Sequence, residues 1–260
     1  MKCRHCGLVQ VYPLPSPDDL EKMYPVDYQG TLSDWEFERQ QPLLSIIDKK
    51  NYASILDYGC GNGALVKILL ERGKKVEGVE FNPQLVEKLN ASRHQGIFFT
   101  VDTFHQKDKQ YDLIVLDNVL EHLTNPSQII DHLKEKLVEG GSLLVRGPHE
   151  YNPSLSFYLR LWLFGLRKSL FHTRGSHAPR HVTLSSYHNL KNFLEGKGFH
   201  TADYQVEEFH WPFPSSWEAA PGPKGKLKYL LAELSRKISS RKKQWGNAFT
   251  YVGGLFFYAH

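Results

Sequence analysis

The sequence lacks the long apolar segment that a membrane-spanning helix needs. Its 260 residues contain no uninterrupted apolar run of about eighteen, and the first residues include no hydrophobic stretch of the kind that opens a secretory signal. Because there are three cysteines, at least one stays unpaired, which argues against a disulfide scaffold. These absences predict a cytoplasmic protein.

The chain also lacks a strong charge excess, internal repeats and low-complexity tracts. Its formal net charge is +4, and 23% of its residues are charged, which is close to the globular average. Hydrophobic residues make up 41%, which supports a packed core and excludes a disordered chain, a coiled coil and a collagen-like fibre. The length fits one large domain or two small ones.

Short apolar runs alternate with amphipathic segments in the middle of the chain. Strands are predicted over residues 52–58, 75–81, 96–101, 111–116 and 142–146. Continuous apolar runs of this length are typical of strands that are buried on both faces of a parallel sheet. The alternation therefore predicts an open α/β sheet with right-handed crossovers, whose core spans about residues 51–147.

Helices are predicted between the strands. One covers residues 64–72, and two others begin at the Asn-Pro pairs 82–83 and 125–126, because Asn caps a helix and Pro suits its first position. The helix that begins at the second pair is expected to include Leu137 and to end at the glycine pair 140–141.

A glycine-rich turn directly follows the first predicted strand and precedes a helix. Residues 57–63 read Asp-Tyr-Gly-Cys-Gly-Asn-Gly, and glycines there let the backbone approach a ligand at the helix N-terminus. The spacing of Gly59, Gly61 and Ala64 also fits the dinucleotide pattern G-x-G-x-x-G/A. Two nucleotide cofactors therefore compete for this turn, a nicotinamide dinucleotide and S-adenosylmethionine (SAM).

Asp57 distinguishes these two cofactors by charge. A pyrophosphate is negative, so a carboxylate just before the first glycine of the turn opposes it. SAM carries an ammonium and a sulfonium, and a nearby carboxylate attracts both. An NAD(P)-dependent oxidoreductase is therefore the disfavoured alternative.

Acidic residues also follow the next three predicted strands. Glu80 ends the second strand and is expected to accept hydrogen bonds from both ribose hydroxyls. Asp102, with Thr103 beside it, follows the third strand and is expected to meet the adenine amino group. Asp117 and Asn118 end the fourth strand and are expected to line the opposite side. Because ligands of open α/β sheets bind at the carboxyl ends of the strands, these residues predict one cofactor site.

Three segments resemble class I SAM-dependent methyltransferases. Residues 55–63 resemble their motif I, residues 79–83 resemble their ribose-binding strand end, and residues 111–123 resemble the D-x-V-x-x-x-x-V-L-E-H segment of one branch. That branch contains ubiquinone-pathway O-methyltransferases and sugar-tailoring methyltransferases. The resemblance implies a Rossmann-like, seven-stranded, mostly parallel sheet whose last two strands, 199–209 and 249–258, form an antiparallel pair.

The resemblance also implies SAM as cofactor and S-adenosylhomocysteine (SAH) as product. Together with the charge argument, it gives a predicted set of cofactor-binding residues: Asp57, Tyr58, Gly59, Gly61, Asn62, Glu80, Phe81, Asp102, Thr103, Asp117 and Asn118.

Histidines near the strand ends are the candidates for catalysis. An oxygen nucleophile benefits from a general base with a pKa near 7, which favours histidine. His122 is the first candidate, with Glu121 as its orienting partner, and the resemblance places this pair near the substrate. The alternative is that His122 only caps or packs the following helix. His149, which follows the fifth strand, and His181 are the other candidates.

The N-terminal segment 1–50 contains a cysteine pair, Cys3 and Cys6, that resembles half of a zinc ribbon, and a helix is expected over 17–24. A structural zinc needs four ligands, and only His5 lies near the pair, so zinc is disfavoured. No metal ligand is predicted elsewhere. Two further histidines, His172 and His177, fit no standard metal-site spacing together with His181 and are expected to be surface histidines.

The remaining segments concern the acceptor. A methyltransferase domain is expected over 51–260, with substrate or lid insertions at 148–182 and 210–246. Residues 222–243 contain eight Lys or Arg and one acid, and residues 155–171 are rich in apolar side chains. The favoured interpretations are a helix packed on the sheet for the apolar segment and a solvated helix for the basic one, and contact with a membrane surface or a phosphorylated substrate stays open. Nucleic acid is disfavoured, because no aromatic and basic platform is present.

The predicted function is methyl transfer from SAM to a small, sugar- or lipid-linked acceptor, at oxygen. Besides the oxidoreductase, the alternative is a methyltransferase-like binding protein without catalytic activity. That alternative is disfavoured because a decayed site is expected to lose the residues that are intact here: Asp57, Gly59, Gly61 and Glu80. The oligomeric state is not predicted.

Overall fold

The computed structural model of the chain describes residues 1–16, 34–91, 96–149, 162, 181–207, 216–218, 220–239 and 248–255. Several expectations lie outside these residues: the helix over 17–24, His172, His177, and the apolar segment 155–171 apart from Trp162.

A seven-stranded sheet forms the centre of the fold. The strands in the described part of the chain are β1 (Val9–Gln10), β2 (Ile55–Tyr58), β3 (Val76–Glu80), β4 (Phe98–Thr100), β5 (Tyr111–Asp117), β6 (Leu137–Pro148), β7 (Thr183–Leu184), β8 (Phe199–Glu207) and β9 (Ala248–Leu255). The sheet has the order β4-β3-β2-β5-β6-β9-β8. Its first five members pair in parallel, whereas β9 is antiparallel to both β6 and β8. The predicted α/β architecture, including the antiparallel pair, is confirmed.

Helices connect the strands. Those in the described residues are α1 (Asp34–Ile47), α2 (Ala64–Glu71), α3 (Pro83–Asn90), α4 (Val101–His105), α5 (Pro126–Glu135), α6 (Tyr187–Gly196) and α7 (Gly222–Ser239), with a 3-10 turn at Leu120–His122. The predicted cap of α3 is confirmed, because Oδ1 of Asn82 accepts hydrogen bonds from the N–H groups of Gln84 and Leu85 at 3.0 and 3.3 Å. Among these helices, none combines the length and the hydropathy needed to cross a bilayer.

The helix predicted from the Asn-Pro pair 125–126 is shorter than expected. It ends at Glu135, and Leu137 instead begins β6, where it pairs with Tyr111. The glycine pair 140–141 lies inside β6, where the register against β5 shifts. The prediction was wrong because an apolar residue after an amphipathic helix fits the helix period and a new strand equally well.

Strand β5 divides the core into two layers. Leu113 and Val115 belong to the layer with α1, α2 and α3, whereas Ile114 and Leu116 belong to the layer with α5 and α6. All four side chains are 0% exposed. Since successive side chains of a strand point to opposite faces, an unbroken apolar strand fits a sheet that is covered on both sides.

Two short strands tie the N-terminal segment to the rest of the fold. β1 pairs antiparallel with β7, with Val9 opposite Leu184 and Gln10 opposite Thr183. The neighbouring side chain of Leu8 is buried in the same layer as α5 and α6. The first residues therefore pack on the segment that precedes α6.

Candidate functional site

The glycine turn between β2 and α2 is held tightly against its neighbours. The N–H groups of Gly59 and Cys60 both donate to the carbonyl oxygen of Val79, at 2.7 and 2.9 Å. Gly59 has φ +80°, and a Cβ built there would lie 2.4 Å from Cγ2 of Val119. Only glycine fits this position, so the turn lies close to the end of β3 and to the segment that follows β5.

Glu80, at the end of β3, is bonded to the same turn. Its Oε2 accepts a hydrogen bond from the N–H of Gly61 at 2.9 Å, and its Oε1 accepts one from the N–H of Asn82 at 3.1 Å. A carboxylate has about four lone-pair sites, so each oxygen can still accept a further bond. This geometry is compatible with two adjacent hydroxyl donors, and the ribose-binding role of Glu80 stays a prediction.

Asp57 is a buried carboxylate in negative surroundings. Burial raises its pKa well above the usual value, the charges of Asp117 and Glu80 raise it further, and Arg146 opposes them. Among the described residues, no hydrogen bond ends on this carboxylate. A bound cation would favour its ionised form. The electrostatics at the end of β2 therefore suit a positively charged ligand.

Arg146 neutralises Asp117, and neither this arginine nor its second partner, Gln40, is among the predicted site residues. Nε and Nη2 of Arg146 donate to Oδ1 and Oδ2 of Asp117 at 2.7 and 2.6 Å. Nη2 also donates to Oε1 of Gln40 in α1 at 3.2 Å. An arginine inside an apolar strand implies a carboxylate partner, so its position in β6 contained a usable signal. Gln40 had none.

Two asparagines border the glycine turn. Asn118 has φ 54°, in the left-handed region, and its Nδ2 donates to Oδ1 of Asp117 at 2.6 Å. Asn62 accepts a hydrogen bond from the N–H of Ala64 at 3.2 Å and thereby starts α2. Both predicted cofactor residues thus lie at the carboxyl-end rim of the sheet.

The residues expected on the adenine side lie at the surface. Asp102 and Thr103 are exposed in the first turn of α4. Phe81 is 47% exposed, and its ring meets the Tyr58 ring edge-on with 5.5 Å between the centres. Tyr58 is buried, and burial raises its pKa to about 12. Tyr58 therefore supports Phe81 by packing. Of these two rings, the exposed Phe81 ring is the one that a ligand can contact.

Three of the four candidate catalytic residues come together after β5. Glu121 is buried, and its Oε1 lies 3.9 Å from Nε2 of His122. The ring centres of His122 and His181 are 5.1 Å apart. One potential ligand atom from each of the three residues lies within 4.8 Å of the others. This cluster can exchange a proton with a substrate or hold a divalent metal.

Residues that are distant in sequence assemble this cluster. The N–H of Val182 donates to the carbonyl oxygen of Glu121 at 2.7 Å. Nε2 of Gln10, in β1, donates to the carbonyl oxygen of Thr124 at 3.0 Å and to Oγ1 of Thr183 at 3.2 Å. The paired strands β1 and β7 therefore hold the 3-10 turn in place.

His149 has different surroundings. It is 2% exposed, its ring stacks on Phe249 with 4.8 Å between the centres, and its Nε2 shares a hydrogen bond of 2.9 Å with the hydroxyl of Tyr204. Burial lowers its pKa to about 3. Because His149 is buried and its Nε2 is bonded to Tyr204, the geometry favours His122 over His149 as the candidate general base.

The N-terminal cysteines form no complete metal site in the described residues. Hydrogen bonds from the backbone of Cys6 and His5 lower the pKa of Cys3, whereas burial raises the pKa of Cys6. Within the described ranges, no third Cys, His, Asp or Glu groups with this pair. The zinc-ribbon resemblance is therefore not confirmed.

Comparisons with curated proteins identify relatives over parts of the chain. The ubiquinone biosynthesis O-methyltransferase of Glaesserella parasuis is 32% identical over 133 residues, which cover 46% of this chain and 56% of that protein. The mitochondrial enzyme of the same description from Dictyostelium discoideum is 28% identical over 109 residues, 35% of this chain and 34% of that protein. The malonyl-[acyl-carrier protein] O-methyltransferase of Paenibacillus sp. is 26% identical over 182 residues, 63% of each chain. The chain thus spans about one third to just under two thirds of these relatives.

Solved structures and a family profile extend the match. A SAM-dependent methyltransferase from Archaeoglobus fulgidus has a TM-score of 0.53 at 17% identity, covering 85% of this chain and 93% of that one. The N-methyltransferase NodS from Bradyrhizobium japonicum, in complex with SAH, has a TM-score of 0.53 at 15% identity, covering 92% and 97%. The family described as "Methyltransferase domain" matches residues 35–203, more than half of the chain. The chain therefore belongs to this family, within the class I SAM-dependent methyltransferases.

Proposed function

We propose that this protein transfers the methyl group of SAM to an oxygen atom of a small, sugar- or lipid-linked acceptor in the cytoplasm. The observation that carries the proposal is the electrostatics around Asp57, a buried carboxylate that lies near Glu80 and Asp117. Among the described residues, the buried cation beside them is Arg146, which pairs with Asp117. This excess of negative charge suits an ammonium and a sulfonium and opposes a diphosphate.

The cofactor is assigned to the rim residue by residue. Asp57 pairs with the ammonium, Glu80 accepts bonds from the two ribose hydroxyls, and Asp102 with Thr103 meets the adenine amino group. Phe81 offers its exposed ring to the nucleoside. When bound, SAM supplies a methyl group on a sulfonium, which is already a good leaving group. The other predicted residues form the glycine turn and the opposite side of the cofactor site. The turn contains Tyr58, Gly59, Gly61 and Asn62, and the opposite side contains Asp117 and Asn118.

The acceptor side is assigned to the cluster after β5. His122 takes the proton from the acceptor hydroxyl, and Glu121, whose Oε1 lies 3.9 Å from Nε2 of His122, orients the imidazole. His181 lies against the His122 ring and limits how the acceptor approaches. All three curated relatives named above are O-methyltransferases, which supports oxygen as the methylated atom.

Calorimetry with SAM and SAH tests the cofactor assignment. Asp57→Asn should weaken SAM binding by about tenfold or more, because the ammonium loses its buried partner. Asp108→Asn, at an exposed aspartate, should bind like the wild type and serves as the matched control. Binding of NADH without binding of SAM would instead support the oxidoreductase.

A screen of hydroxylated acceptors for SAH release tests the catalytic assignment. His122→Ala should lower turnover by about a hundredfold or more while SAH affinity stays unchanged, and His188→Ala, at an exposed histidine, should do neither. If a chelator abolishes turnover and a divalent metal restores it, the cluster is a metal site and the base assignment is wrong. Tight SAH binding without turnover on any acceptor would favour the binding-protein alternative.

A further inference from the structure

Helix α7 exposes large apolar side chains to solvent. Leu227, Leu230 and Leu234 are 59%, 52% and 49% exposed. At 3.6 residues per turn, these positions lie within about 60° of one another around the helix axis. They therefore form one stripe, the leucine stripe. A contiguous exposed apolar patch marks an interaction site, whereas single exposed leucines are ordinary.

Lysines flank the leucine stripe on both sides. By helical spacing, Lys224 and Lys228 lie on one side of it, and Lys226 and Lys237 lie on the other. All four are exposed. The sequence of α7 contains a single acidic residue, Glu233. The stripe is therefore apolar along its centre and positively charged along both edges.

Trp217 adds an aromatic ring beside the Lys226 edge of the stripe. It is 41% exposed, and Nζ of Lys226 lies 4.8 Å from the centre of its ring. The ring of Tyr229, in α7, lies 6.2 Å from it. A leucine stripe with lysines along its edges and a tryptophan beside one edge has the composition of helices that lie in a membrane interface.

The charges decide between the possible occupants of this surface. A second copy of the chain would bring lysines opposite lysines across a two-fold contact, which is unfavourable. A nucleic acid would neutralise the lysines but leave the leucines in water. An anionic bilayer satisfies both, because the leucines enter the acyl boundary while the lysines meet the headgroup phosphates.

We propose that α7, through the leucine stripe and its flanking lysines, docks this protein on an anionic lipid bilayer. The insertion that contains α7 leaves the sheet after Glu207 and returns at Ala248, which pairs with both Glu207 and Pro148. Pro148 ends β6 at the carboxyl-end rim of the parallel strands. The docking helix is therefore attached at the rim of the sheet that contains the candidate site.

Flotation with vesicles tests the proposal without any cofactor or acceptor. The wild type should float with vesicles that contain phosphatidylglycerol and should stay unbound with pure phosphatidylcholine. The double variant Leu230→Gln/Leu234→Gln should lower the partition coefficient by at least about tenfold. Leu14→Gln changes an exposed leucine outside α7, is matched in chemistry, and should bind like the wild type.

Variants of the flanking lysines test the charged edges of the stripe independently of the leucines. Lys224→Gln/Lys228→Gln should lower binding severalfold and weaken its dependence on salt, whereas Lys49→Gln/Lys50→Gln, in an exposed loop, should change neither. Absence of binding to anionic vesicles would overturn the proposal. Full binding by the leucine variant would also overturn the proposal, because binding would then depend on the lysine charges alone. A wild-type dimer that the leucine variant breaks would assign the stripe to a second copy.

Discussion

The two sides of the candidate site are built by different kinds of contact. On the cofactor side, Asp57 and Glu80 stand at the ends of adjacent parallel strands, and a glycine turn bonds directly to Glu80. On the proposed acceptor side, His122 meets His181 because the N–H of Val182 donates to the carbonyl oxygen of Glu121, and β1 pairs with β7 beside this contact. The proposed cofactor side therefore follows from strand order, whereas the proposed acceptor side depends on contacts between segments that are distant in sequence.

The largest effect is expected at Arg146, the buried cation at the carboxyl-end rim of the sheet. Arg146→Met removes its ion pair with Asp117, and we expect the free energy of unfolding to fall by about 3–5 kcal/mol in urea denaturation, because a buried carboxylate is left without its arginine. Lys197→Met removes the ion pair with Asp131, whose side chain is 55% exposed, and should cost no more than about 1 kcal/mol. Equal losses in the two variants would show that burial of the rim charges is energetically unimportant.

The next largest effect is expected at Gly59, where the backbone of the cofactor side is most constrained. Gly59→Ala places a Cβ against Val119 at positive φ, so we expect a loss of about 1–3 kcal/mol in unfolding free energy and at least tenfold weaker SAH binding by calorimetry. Gly73→Ala is the control, because Gly73 has φ +73° but nothing within 4 Å of the added Cβ. It should lose stability while it keeps SAH affinity. Unchanged SAH affinity in Gly59→Ala would contradict the assignment of the turn.

The contrast between the two sides explains what could be predicted from the sequence. The rim acids Asp57 and Glu80 were predictable because the ends of parallel strands meet at one edge whatever the loops do. The contact between His122 and His181 was not, because no periodicity in the sequence links two segments that meet through a single long-range backbone hydrogen bond, from Val182 to Glu121. Both histidines were candidates, but their proximity was not predicted. The end of α5 was missed because Leu137 fits either element.

The pH dependence of stability compares Asp57 with a carboxylate outside the rim. Burial, Asp117 and Glu80 raise the pKa of Asp57, so the folded state binds this proton more tightly than the unfolded state. Its contribution is present at acid pH and is lost as the pH rises above the usual carboxyl range, by up to about 1.4 kcal/mol per pH unit. Asp57→Asn should remove this slope in urea titrations of the SAM-free protein. Bound SAM should oppose it, since a cation favours the ionised carboxylate.

The pKa of Glu77 is shifted in the opposite direction, so its effect on the pH dependence of stability is reversed. Burial raises its pKa, but hydrogen bonds from Tyr111, Lys109 and Lys107 outweigh burial and lower it. Its contribution to stability is therefore present above the usual carboxyl range and lost as the pH falls through the lowered pKa. Glu77→Gln should destabilise the protein at neutral pH and become neutral in acid. If both variants changed the pH profile with the same sign, the rim would have no distinct electrostatic character.

The smallest change in stability is expected for a variant that alters the proposed acceptor side and leaves the proposed cofactor side unchanged. Gln10→Ala removes the bonds from β1 to Thr124 and Thr183, at a cost of about 0.5–1.5 kcal/mol. Because these bonds position the turn that contains His122, turnover should fall severalfold while SAH affinity stays unchanged. Gln110→Ala removes two similar bonds, to the carbonyl oxygens of Glu135 and Leu137, and should lower neither. A loss of SAH affinity in Gln10→Ala would show that the two sides are one coupled unit, because no contact of Gln10 reaches the glycine turn.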